Sequence, residues 1–272
     1  MPDIREVYSY NQQPYFMLVA IGSPSIWRLV DSGKVSPEFS VAADEAILSA
    51  RLRNLVPNTL HFYIRNCPCI SIGYNMPIKE SVNMDEVGKR NVRLVRRFSG
   101  GSAVYTDSGQ LIFALIIDDD FLPSDIVESY QKISSAVIRG LSMLGVNAEF
   151  KPVNDITVDG LKLSGSAQLR RGGIVLHHGT IMVDTDLDCL AAVIKPTRRK
   201  RSDPLIFRRV TCLREVLGSV PQVQEIKSAI TKAISEIFEI TLHPHCMTPN
   251  EEREIERLIE EKYNAPEWTW RL

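Results

Sequence analysis

Apolar residues recur at helical spacing in several long stretches of the chain. In 39–52, Val41, Ala42, Ala46, Ile47 and Ala50 fall near one face, predicting an amphipathic helix. In 126–144, Ile126, Tyr130, Ile133, Val137, Leu141 and Leu144 form one stripe, and Gly145 follows as a helix-ending residue. Residues 222–238 repeat the pattern through Val223, Ile226, Ile230, Ala233, Ile234 and Ile237. Residues 248–262 open with Thr248 as N-cap and Pro249 at the first helical position. Shorter helices are expected at 84–90 and 186–193, with another beginning at 213–217. Between the helices lie short β-branched and aromatic runs that read as strands: 27–30, 60–65, 69–73, 92–95, 111–117, 148–150, 156–158, 161–163, 174–177 and 180–183. Residues 31–33 read as a turn. Residues 1–25 read as an extension that adds an edge strand, and 26–272 as one domain.

Two polar stretches interrupt this pattern. The first, RRFSGGSAVYTDSGQLIFALI at 96–116, sets Arg96 and Arg97 before the small residues Ser99, Gly100, Gly101, Ser102 and Ala103. Glycines let backbone N–H groups approach a ligand, and arginine offers a fork of donors for phosphate or carboxylate, so the stretch suits an anion. Read alone, Gly-Gly between apolar runs is better taken as a plain hairpin turn. The second stretch, NDITVDGLKLSGSAQ at 154–168, places Lys162 beside Ser164, Gly165, Ser166 and Ala167.

With FYIRNCPCISIGY and HHGTIMVDTDLDCL, these segments in this order resemble the large catalytic domain of lipoate–protein ligase A, within the biotin/lipoate ligase and octanoyltransferase superfamily. The resemblance covers roughly 26–271. It implies an α+β fold of mixed β-sheets flanked by helices. It also implies that lipoate is activated with ATP to lipoyl-adenylate and the lipoyl group passed to a lysine of lipoyl-domain acceptors: 2-oxoacid dehydrogenase acyltransferase subunits and the glycine cleavage H protein.

By the same resemblance, Lys162 is the catalytic residue, its cation sitting between carboxylate and α-phosphate. Arg97 reaches the phosphates. Gly100, Gly101, Ser102, Ala103, Val104 and Tyr105 line the nucleotide, and Asn154 and Asp155 match an Asn-Asp pair. Asp155 holds Mg²⁺ in that reading, or else caps an Asx turn. Ser164, Gly165, Ser166 and Ala167 complete the lysine-bearing run. Ser102 stands where the family usually has a third glycine, and a positive φ there would crowd the ligand. His177 and His178 alternate across a strand, so at most one faces the site, and the resemblance selects His178. Asp44-Glu45 resembles the family's acidic pair, with a solvated helix face as an equal reading. Arg65 is read as a surface residue ahead of a pocket residue, and His61 as packing or surface.

The resemblance further implies that a small C-terminal domain is missing from this chain, and that a separate accessory protein serves activation. The closest rival is an octanoyltransferase of the same fold working through a cysteine thioester. No cysteine occurs in 150–155, just before the lysine-bearing strand. A lysine-dependent octanoyltransferase, a transferase using preformed lipoyl-adenylate, and a non-catalytic lipoate-binding subunit stay open. A biotin ligase is disfavoured, because the first glycine run lacks a GRGR-type pattern.

Charge narrows the partners. The 272 residues carry a formal net charge of -1, which gives no global attraction to nucleic acid or an anionic membrane. The run KPTRRKR at 195–201, with Arg208 and Arg209, reads as a solvated loop, or as one closing over phosphates. Five cysteines in no framework or zinc spacing fit a reducing cytoplasm. No secretory or membrane-spanning segment is expected.

Overall fold

The computed structural model describes residues 5–8, 14–17, 25–195 and 210–272. In chain order its elements are β1 (Arg5–Tyr8), β2 (Pro14–Met17), β3 (Ser25–Val35), α1 (Pro37–Leu52), β4 (Thr59–Arg65), β5 (Cys69–Ile72), α2 (Ile78–Ser81), α3 (Met84–Lys89), β6 (Arg93–Arg96), β7 (Val104–Thr106) and β8 (Gln110–Asp118). There follow α4 (Ile126–Met143), β9 (Glu149–Lys151), β10 (Asp155–Val158), β11 (Leu161–Arg171), β12 (Ile174–Met182), α5 (Leu187–Val193), α6 (Leu213–Leu217), α7 (Val223–Phe238), β13 (Ile240–Pro244), α8 (Pro249–Leu258) and α9 (Pro266–Thr269). A π-turn at Ile259–Tyr263 extends α8. The basic run beyond Lys195 lies outside the described residues.

Eight strands form one mixed sheet in the order β13-β3-β4-β8-β12-β11-β10-β9, and three form a second in the order β6-β5-β7. The expected α+β architecture of mixed sheets flanked by helices is therefore present. On one face of the large sheet, Leu60, Phe62, Phe113, Leu115 and Val175 pack against Ile133, Val137, Ile230 and Ile234 of α4 and α7. On the other, Val30, Ala114, Ile116 and Leu176 pack against Val41, Ala42, Ala46 and Ile47 of α1. Small residues along α1 let its backbone approach the sheet closely.

Local chemistry sets the helix starts. Ser36 accepts from the Phe39 N–H, with Pro37 in the first turn of α1. Asp125 caps α4, and Thr248 and Glu251 form a reciprocal capping box on α8. Glu251 also meets the buried guanidinium of Arg28, which donates to Thr59 Oγ1 at 2.8 Å. Removing either partner of such a buried ion pair costs roughly 3–5 kcal/mol. That contact fastens α8 to β3.

Several expectations are corrected. Gly100-Gly101 is not a hairpin: β6 and β7 do not pair with each other but flank β5, one parallel and one antiparallel. The turn between them is thus a crossing loop with no strand partner of its own. The strand expected at 161–163 is longer, since β11 spans eleven residues from Leu161 to Arg171 and takes in the small-residue run after Lys162. The two apolar runs at 174–177 and 180–183 are one strand, β12. Residues 31–33 are a bulge inside β3, with Gly33 at φ 62°. Strand β13 went unpredicted.

Candidate functional site

Cross-strand register decides which side chains share a face, because directly opposed residues of an antiparallel pair point the same way. Ala167 lies opposite His178, His178 opposite Ala114, and Ala114 opposite His61. All four therefore face α1. His177 points the other way, packed against Phe113 and Tyr130 and within 3.1 Å of the Gln168 amide. Burial pushes His177 down to about 3, so it is a neutral core residue. His178 is the histidine of the site face.

On that face α1 brings Asp44, read beforehand as equally suited to a solvated surface. It is buried. Its carboxylate lies 3.1 Å from His178 Nδ1, 3.3 Å from His61 Nδ1 and 3.0 Å from the Tyr63 hydroxyl. Burial alone would raise this carboxyl, but hydrogen bonds from His178 and then His61 outweigh it and hold it at about 2. An ionised Asp44 only accepts, so both histidines carry a proton on Nδ1, and in the neutral ring Nε2 is then the acceptor. His178 Nε2 then receives the Ser99 hydroxyl at 2.9 Å, and His61 Nε2 the Ser32 hydroxyl at 2.9 Å. His61, first read as packing or surface, is fully buried in this relay.

Ser99 belongs to the crossing turn, which both arginines hold from within. Arg97 donates to the carbonyls of Ser71 (2.8 Å), Gly100 (2.7 and 3.1 Å) and Ser102 (2.8 Å). Burial, with the charge of Arg65 adding to it, lowers Arg97 to about 10, still a cation at neutral pH. Arg96 donates to the carbonyls of Gly73, Met76 and Thr269, and Trp268 donates its indole N–H to the Arg96 carbonyl at 2.8 Å. Close approach requires the glycines: a Cβ on Gly73 would sit 2.0 Å from the Gly101 oxygen. The positive φ of the turn falls on Gly101, at 95°, and not on Ser102, so serine there carries no backbone strain. Gly100, Gly101 and Ser102 are exposed, Val104 is half-buried, and Ala103 and Tyr105 are packed among the apolar residues of the small sheet.

Lys162 stands at the near end of β11. A bulge between β10 and β11 lets its amine fold over Gly165, where a Cβ would meet it at 2.6 Å. The amine lies 2.6 Å from Asp155 Oδ1 and its side chain is 37% exposed. Gly165 and Ala167 are two residues apart on the same face, about 7 Å of strand. A Cβ on Gly101 would lie 3.6 Å from the Ala167 methyl group, so lysine, strand and turn border one surface. Ser164 is buried opposite Ile181, on the far face. Asn154 donates to the Ser166 carbonyl at 2.5 Å and staples the strand end.

Other candidates lie elsewhere. Arg65 is buried, not on the surface, and bonds Ser40 and Thr106 at 3.0 and 2.9 Å. All five cysteines are unpaired: Cys69, Cys189 and Cys212 are buried, Cys67 is half-buried and Cys246 exposed. Burial pushes the Cys69 thiol up to about 12. Among the described residues no group of three or more His, Cys, Asp or Glu side chains could hold a metal. As arranged, Asp155 is engaged by Lys162 and Arg97 by carbonyls, so each would have to give up those partners to meet Mg²⁺ or phosphates.

Residues 36–235 match the family described as the lipoyl protein ligase A/B catalytic domain. The chain belongs to that family. It is 31% identical over 273 residues to octanoyltransferase LipM of Halalkalibacterium halodurans, with 90% of this chain and 99% of the relative covered. A solved bi-partite lipoate protein ligase of Thermoplasma acidophilum, studied with its E2 lipoyl domain, is 29% identical with a TM-score of 0.79, covering 90% of this chain and 96% of that one. A lipoate–protein ligase A solved with bound ATP is equally similar, at 29% identity and TM-score 0.79, covering 90% and 98%. The chain is therefore an enzyme of the lipoyl- and octanoyl-group ligase and transferase family. No helix among the described residues is long and apolar enough to cross a membrane.

Proposed function

We propose that this enzyme moves an octanoyl or lipoyl group from a thioester-activated carrier protein onto the ε-amine of a lysine on a lipoyl-domain acceptor. The observation that carries this reading is the engagement of Arg97. Its guanidinium is bonded to three main-chain carbonyls and holds the turn, so it is not held out for phosphates. A thioester is already activated and needs no nucleotide; the chain must only align donor carbonyl and amine and stabilise the oxyanion that forms.

The Lys162 ammonium, oriented by Asp155, supplies a cation on the site face. The His178–Asp44 pair supplies a base whose accepting nitrogen is fixed by the buried carboxylate. The similarity to an octanoyltransferase over nearly its whole length supports the octanoyl donor. The acceptors follow the same reading: acyltransferase subunits of 2-oxoacid dehydrogenases and the glycine cleavage H protein. A cytoplasmic location, where those substrates occur, goes with it.

A second reading, ATP-dependent ligation of free lipoate through lipoyl-adenylate, is favoured by the ATP-bound neighbour at 29% identity. The bi-partite neighbour supports a separate accessory protein in that case. One experiment separates the two. A lipoyl domain is incubated with the enzyme and either octanoyl-carrier protein without ATP, or lipoate with ATP and Mg²⁺, and its mass is read. Octanoylation without ATP is expected. Modification by lipoate and ATP alone would replace this reading with the ligase.

A further inference from the structure

No cysteine occurs in residues 150–155 ahead of the lysine-bearing strand, yet the chain holds a hydroxyl against a histidine whose other nitrogen is fixed by a buried carboxylate. Ser99 Oγ is 2.9 Å from His178 Nε2, and His178 Nδ1 is 3.1 Å from Asp44 Oδ2. Nucleophile, base and orienting acid thus stand in sequence, contributed by the crossing turn, β12 and α1. We infer that Ser99 is a nucleophile that carries the acyl group as an ester between carrier protein and acceptor. This rests on the thioester-donor reading above.

The ionised Asp44 fixes the proton of His178 on Nδ1, which leaves Nε2 as the acceptor of the serine proton. In the first step Ser99 Oγ forms a bond to the thioester carbonyl carbon as its proton passes to His178 Nε2. The carbon–sulfur bond then breaks, and the leaving thiolate takes that proton and departs as the thiol. In the second step the neutral lysine amine of the acceptor attacks the ester carbonyl. His178 takes a proton from the amine and returns it to Ser99 Oγ as the carbon–oxygen bond breaks, leaving the amide and the original serine.

The surroundings suit the ester. Gly100 N–H follows the nucleophile directly, and among the described residues the amides of Gly100 and Gly101 donate to no protein acceptor, so they are available to an oxyanion. A Cβ on Gly100 would meet nothing within 4 Å, so the turn is open on its outer side. Ser99 itself is only 1% exposed, so the thioester must reach it through the open outer side of the turn at Gly100. Lys162 lies along the same face and supplies a cation for the developing charge.

The test uses the full chain with octanoyl-carrier protein and no acceptor, quenched in acid and read by intact mass and peptide mapping. A single octanoyl group on the peptide containing Ser99 is expected, discharged when lipoyl domain is added. S99A should lose both the adduct and at least about a hundredfold of the transfer rate. S99C, which restores a nucleophile in the same place, should form an adduct released by neutral hydroxylamine, as the wild-type ester is not. Circular dichroism of both variants shows whether they are folded. Wild-type transfer from the carrier with S99A undiminished, or an adduct mapped to another residue, would overturn the ester alone. Were the wild type to modify the domain only from lipoate and ATP, the donor reading would fail first and the ester with it.

Discussion

His178 and Asp44, 134 residues apart in the chain, meet through Nδ1 and Oδ2 at 3.1 Å beneath the glycine-rich turn. The contact joins β12 to α1 and places a carboxylate where Tyr63 and His61 also donate to it. Replacing Asp44 with Asn leaves the shape but puts an amide among three donors. D44N is expected to lose transfer activity by about 10²-fold or more, and stability by roughly 1–3 kcal/mol. Turnover and urea unfolding of the one variant read both effects. Unchanged activity would remove His178 from the chemistry.

Lys162 should behave in the opposite way towards stability. Its ion pair with Asp155 is partly exposed, and such pairs contribute about 0–1 kcal/mol. K162A is therefore expected to unfold at nearly the wild-type urea concentration while losing on the order of 10²–10³ in kcat. A large drop in stability with little loss of rate would make the lysine structural.

Gly101 combines φ of 95° with a Cβ position 2.7 Å from Arg97 Nη2. An alanine there costs roughly 1–2 kcal/mol in backbone strain and pushes the guanidinium off the carbonyls it holds. G101A should lower the melting temperature and slow transfer, whereas S102G should do neither, since no positive φ falls on Ser102. Thermal unfolding and initial rates of the two variants make the comparison.

Acid stability should carry two signatures. His177 is pushed by burial from 6.5 to about 3, so the unfolded chain takes up its proton first as pH falls. Its contribution is full above pH 6.5 and is lost progressively down to about pH 3. Asp44 falls from 3.8 to about 2, so its contribution is full above pH 3.8 and is lost from there to about pH 2. Urea midpoints followed against pH should decline in the wild type between pH 6.5 and 3, and less steeply in H177Q.

What could be read from sequence follows the range of the interactions. Helix α4 was legible because its stripe and its C-terminal glycine are local, and Lys162 because it sits in a recognisable run of small residues. The Gly100-Gly101 turn was misread because its flanking strands share β5, which lies about 30 residues upstream of them. Asp44 could not be distinguished from a surface acid, since its burial depends on histidines supplied by β4 and β12. Likewise, two adjacent arginines before glycines suggest a ligand, and only the fold reveals that they donate to main-chain carbonyls, Arg97 to Ser71, Gly100 and Ser102 and Arg96 to Gly73, Met76 and Thr269.

Arg96 is held by the Thr269 carbonyl and capped by the Trp268 indole, more than 170 residues downstream. The glycine-rich turn is therefore latched by residues far along the chain from it, so a proteolytic cut just before Trp268 would leave that latch undone.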